Sequence, residues 1–70
     1  MDKDKRELVR RLFVASAERL EQALEPAMKG QSPRARPASY AAWATQLASI
    51  VREAALIADA AGLIAKDVAK

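Results

Sequence analysis

The chain has no cysteine and no histidine. The first absence removes disulfides and thiolate metal sites. The second removes the usual general base and the usual zinc ligand. A zinc finger, a Cys or Ser–His hydrolase and a disulfide-stapled mini-protein are therefore excluded together. Aromatic residues are nearly missing: one Phe, one Trp and one Tyr in 70 residues. The hydrophobic fraction of 51% owes much to alanine, which supplies 17 of the 70 positions. A chain of this length holds one small domain, and a core so poor in bulk rarely supplies more than ~3–5 kcal/mol. The remaining source of stability is association with other copies or with a partner.

Long hydrophobic runs are missing too. No stretch reaches the ~18 uncharged apolar residues of a membrane span; the nearest, Tyr40 to Val51, stops at Arg52 and Glu53. The segment Met1-Asp2-Lys3-Asp4-Lys5 is charged and unlike the apolar core of a signal peptide. A cytoplasmic protein without membrane association is expected. The net charge of +3 is uneven: residues 1–36 hold nine basic and six acidic groups, residues 37–70 three of each. The excess is a mild bias of the first half and not a basic arm.

What is present is helical periodicity. Val9, Phe13, Ala17, Leu20, Leu24 and Ala27 recur at spacings of four and three, with Leu8, Leu12, Ala23 and Met28 widening the stripe. Glu18, Arg19, Glu21, Gln22 and Glu25 occupy the other face. Asp2→Arg6, Glu7→Arg11 and Glu25→Lys29 place an acid one turn before a base, the favourable order. This reads as a helix over residues 3–29, kinked or stopped near residue 25 by Pro26, which removes a backbone donor and disfavours helical geometry before it. Gly30 is placed to end the helix in a left-handed conformation. Residues 30–38, with Pro33 and Pro37, form a stiff connector. The next helix starts at Pro37, or with Ser39 as its N-cap, and runs to residue 69.

The second helix carries the clearer signal. Tyr40, Trp43, Leu47, Ile50, Ala54, Ile57, Ala61, Ile64 and Val68 alternate at spacings of three and four. Thr45, Arg52, Asp59 and Lys66 fall opposite, seven apart and polar every time. The register passes through Gly62, so the helix is expected to continue there. Val51, Ala58 and Ala65 flank the seam on one side; Ala48, Ala55, Leu56, Gly62 and Leu63 flank it on the other. A helix apolar over so much of its circumference needs more than one neighbour. The expected fold is an all-α antiparallel helical hairpin, a single domain over residues 1–70. It assembles into a homo-oligomeric bundle or ring with the Tyr40–Val68 seam at the interface between copies.

No catalytic set emerges. Glu53, Asp59 and Asp67 lie on the polar arc of the second helix without converging, and Ser39 has no base beside it. Neither enzymatic activity, nor a cofactor, nor a metal is expected. Tyr40 and Trp43 suit base stacking, but their seam positions favour packing. Lys3, Arg6 and Arg10, with Arg11 beside them, and Arg34 and Arg36 in the connector, are the candidates for phosphate contact. One chain offers only a handful of such contacts, so binding would be weak and steeply salt-dependent, and an oligomer would add avidity.

The run Leu8-Val-Arg-Arg-Leu-Phe-Val-Ala-Ser-Ala-Glu-Arg-Leu-Glu-Gln, a polar break, and Trp43-Ala-Thr-Gln-Leu-Ala-Ser-Ile-Val-Arg-Glu-Ala resemble the short helical small-terminase proteins of tailed phages and gene transfer agents. There, a first helix of the type L-V-x-R-L-x-x-A-A-E-R precedes a second carrying A-x-x-V-R-x-L. The similarity covers roughly residues 8–56. It implies a non-enzymatic DNA-packaging subunit that forms rings, holds double-stranded DNA and recruits a large terminase subunit. Against the longer members, no separate helix-turn-helix region is expected, which puts site-specific recognition in doubt, and little tail is expected after Val68 with which to bind the large subunit. The rival expectation is an antitoxin- or inhibitor-like regulator whose apolar second helix is covered by a different protein.

Overall fold

The computed structural model describes the backbone of residues 3–69 and side chains of residues 3–67. It is an all-α helical hairpin: α1 spans Lys3–Lys29 and α2 spans Pro37–Ala69. The two pack side by side, antiparallel. At ~1.5 Å rise per residue the 33 residues of α2 reach about 50 Å. The longest dimension of the molecule is 52 Å, so α2 sets the length of the whole.

The two helix ends at the connector are built differently from each other. Helix α1 runs unbroken through Pro26, which is fully buried. No glycine has a positive φ, so the left-handed cap expected at Gly30 does not form. Instead the Gly30 amide donates to the Pro26 carbonyl at 3.0 Å, continuing the helical pattern by one bond. Gln31 and Ser32 then donate to Met28 and Lys29, tightening the exit into shorter turns. At the far side of the connector, Ser39 and Tyr40 both donate to the Arg36 carbonyl, so Arg36 caps α2 and Pro37 takes the first helical position. Ser39 is inside the helix rather than at its cap. The Tyr40 hydroxyl donates to the Ser32 carbonyl, and its ring meets Trp43 edge-on, centroids 6.2 Å apart. These contacts tie the connector down to the start of α2. Helix α2 is continuous through Gly62.

The buried centre of the interface between the helices consists mostly of small residues. Ala54 and Ala61 are buried on α2, and Ser16, Ala23 and Pro26 on α1. Around them Tyr40, Trp43, Leu47, Ile50, Ile57 and Ile64 are half-buried. The seam expected to lie between copies is therefore occupied within the chain by α1; the side chain of Val68 lies outside the described residues. The matching stripe of α1 differs from the one expected. It consists of Val9, Leu12, Ser16, Arg19, Ala23 and Pro26, at spacings of three and four. Phe13, Leu20, Leu24 and Met28, read from the periodicity as its buried side, are exposed. Small residues on both sides let the axes approach closely, and the bulky stripe is turned away as a result.

Arg19, expected on the solvated face, reaches across instead. Its Nε lies 3.0 Å from Glu53 Oε2, an ion pair by distance without an aligned hydrogen bond. Ser16 buries its hydroxyl with no hydrogen-bond partner. Replacing it with Ala removes that desolvated group and improves helix propensity. Ser16→Ala is expected to stabilise the hairpin by about 1 kcal/mol in chemical denaturation. A charge at the opposing seam acts the other way. Ala54→Glu is expected to cost roughly 3 kcal/mol or more, while Leu56→Glu, two residues on and largely exposed, leaves the melting midpoint nearly unchanged.

Candidate functional site

With the bulky stripe of α1 facing out, its neighbourhood forms a continuous apolar surface. Phe13 is 63% exposed, Leu20 53% and Leu24 59%. With Ala17 and Ala27 they follow spacings of four, three, four and three, and so lie along one line on the helix. Ala27 shares a shallow groove with Ala44 and Leu47. That groove shows which edge of α2 lies beside the stripe.

Continuing from Ala44 along that edge gives Ala48, Val51, Ala55, Ala58 and Gly62, again alternating four and three. All are exposed except Ala48, which is half-buried. At 100° per residue they form one arc with Ala65. Of the flanks expected on opposite sides of the α2 seam, Ala48, Ala55 and Gly62 thus lie on the same side as Val51, Ala58 and Ala65, while Leu56 and Leu63 lie apart from both. The other side carries Gln46, Glu53 and Asp67, and Glu53 is where Arg19 crosses. The hairpin has one apolar side and one mixed side, where the exposed Leu56 and Leu63 lie beside these polar residues. The apolar side pairs a bulky line from α1 with a small-residue line from α2.

The basic candidates do not form one patch. Lys3, Arg6, Arg10 and Arg11 lie at the start of α1, whereas Arg34 and Arg36 lie in the connector at the opposite end. Helical rise puts roughly 35 Å between Arg6 and the connector, several times the Debye length of ~8 Å at physiological ionic strength. The first group is also partly neutralised within the chain. Glu7 accepts from Arg10 Nη2 at 2.6 Å and Nε at 3.1 Å, and from Arg11 Nε at 3.3 Å. At the other end of α1, Lys29 Nζ donates to Glu25 at 2.8 Å. The expected one-turn pairs Glu7→Arg11 and Glu25→Lys29 are both present. The third, Asp2→Arg6, involves a residue outside the described ones. Arg34 and Arg36 are exposed, and the Arg34 amide donates to the Ser32 hydroxyl at 3.4 Å.

The acids of α2 do not converge. Glu53 is engaged by Arg19, and among the described residues no three Asp or Glu side chains gather where they would hold a metal ion. No helix among these residues is long and apolar enough to cross a membrane. Comparison with protein-family models, with curated proteins and with solved structures gave no match.

Hydrogen bonds from Arg10, and then its charge and those of Arg11, hold the Glu7 carboxyl below the ordinary carboxylate range. The partner shift is the opposite one, with Glu7 raising the Arg10 guanidinium. A lowered carboxylate stabilises the helix above its unfolded-state pKa, and that contribution is lost as pH falls through the folded value. In an acid titration followed by side-chain carbon NMR, Arg10→Gln is expected to move the Glu7 midpoint upward. An unchanged midpoint would contradict the ion pair.

Proposed function

We propose that this chain is a non-enzymatic adaptor that works as an oligomeric scaffold. It would hold DNA weakly in the cytoplasm and recruit a packaging motor, in the manner its resemblance to small terminases implies. The observation that carries the reading is the open apolar side. A chain that leaves Phe13, Leu20, Leu24 and Val51 exposed along two helices has a surface suited to association, not to catalysis. Assembly also supplies what the single chain lacks for DNA. Separate basic ends are each weak, but copies held side by side repeat them and add avidity.

A second reading rests on a different feature. Leu56 and Leu63, one heptad apart and both nearly 70% exposed, lie on α2 away from α1. A ridge of this kind suits a helix of another protein, as in a regulator whose second helix is covered by its target.

The DNA reading is tested by fluorescence anisotropy with a duplex of arbitrary sequence, across a salt series. Binding is expected to weaken steeply with salt, and Arg34→Ala to reduce the slope of log affinity against log salt by about one. Absence of binding at low salt, or binding indifferent to salt, would remove DNA from the reading and leave the regulator.

A further inference from the structure

The apolar side is self-complementary, and we propose that its occupant is a second copy of this chain, related by a two-fold axis parallel to the helices. The product is an antiparallel four-helix bundle in which α1 of each copy lies over α2 of the other. This deepens the scaffold reading and rests on it.

Surface area is the first argument. A compact chain of 7.6 kDa exposes roughly 4,300 Å², whereas this hairpin exposes 5527 Å². Its radius of gyration is 16.2 Å, against about 11 Å for a compact chain of this length. The excess of roughly 1,200 Å² exceeds the ~800 Å² per partner of a standard interface. A lateral dimer removes such an excess without lengthening the molecule.

Shape selects the arrangement. Within the hairpin, Arg19 lies level with Glu53 and Ala27 with Ala44. Stepping down α1 while stepping up α2 brings Phe13 level with Ala58, Leu20 with Val51 and Leu24 with Ala48. An axis parallel to the helices preserves these levels while exchanging α1 for α2 across the contact. Every large residue of one copy then meets a smaller residue of the other. Phe13, the largest, falls near Ala58 and Gly62, where even a Cβ on the glycine would touch nothing in the single chain. This is the knob-and-hole relation of helical bundles. The two-fold axis perpendicular to the helices instead stacks Leu20 on Leu20 and alanine on alanine, tight along one side and open along the other.

Charge agrees with shape. In the parallel-axis arrangement Glu21 lies within a turn of the other copy's Arg52, and Arg10 within a turn of its Asp59. Both pairs are opposite in sign and flank the apolar strip, where such pairs set helix partners.

Absence of cysteine in the native chain makes the test clean. Phe13→Cys chains are mixed with Ala58→Cys chains under mild oxidation, and Leu20→Cys chains are oxidised alone. The expected result is a doubled mass in light scattering, a disulfide between the two different variants, and none for Leu20→Cys. Leu20→Glu is expected to halve the mass while circular dichroism keeps the hairpin's helicity, because Leu20 is exposed in the single chain. A Leu20→Cys self-disulfide, or a closed assembly of more than two copies without the mixed disulfide, would overturn this two-fold dimer and leave the scaffold reading standing. A monomer at all concentrations would overturn both.

Discussion

Close approach of α1 to α2 through small side chains is the constraint on which the rest depends. Ser16 and Ala23 on one helix and Ala54 and Ala61 on the other are the small side chains buried between them. Pro26 anchors the same stripe at the connector, and the Tyr40 hydroxyl fixes the chain there through the Ser32 carbonyl. Once the rotation of α1 is set in this way, Phe13, Leu20, Leu24 and Met28 face outward. The hairpin buries these small residues between its helices and leaves Phe13, Leu20 and Leu24 exposed. Fully burying a side chain of that size stabilises by roughly 1.5–3 kcal/mol, so three of them represent a reserve comparable to the whole stability of a small domain.

Helix lengths, the connector and the seam of α2 were legible in the residues. Pro37 opens α2, and its three-four alternation runs through Gly62 without a break, which is how the structure has it. The rotation of α1 was not legible. Periodicity finds an apolar face but does not say what covers it, and the buried face of α1 contains a serine, an arginine and a proline, three types that do not read as core. Gly30 misled for a related reason: glycine permits a left-handed cap but does not require one, and the amide of Gly30 is already used by the Pro26 carbonyl. Basic residues were visible as a set in the sequence, yet only the hairpin shows that they belong to two ends.

The same geometry connects stability to function. In the proposed bundle, the α1 starts of both copies fall at one end, so Lys3, Arg6, Arg10 and Arg11 are doubled there, while Arg34 and Arg36 are doubled at the other. Under the proposed DNA reading, two ends of like charge on a narrow rod would bridge phosphate backbones rather than read a base sequence. Glu7 tempers one end by engaging Arg10 and Arg11, which leaves the connector arginines the less encumbered contacts. The Leu56 and Leu63 ridge stays open outside the bundle and is available to a further partner.

Solution X-ray scattering tests the central claim most directly, because it reads mass and length together. Lateral pairing doubles the scattering mass while the longest dimension stays near the 52 Å of the single hairpin, and the radius of gyration rises by only about 1 Å, as side-by-side rods spaced like packed helices require. A single-chain mass, or a doubled mass with a markedly longer particle, would contradict the claim that the apolar side is where copies meet.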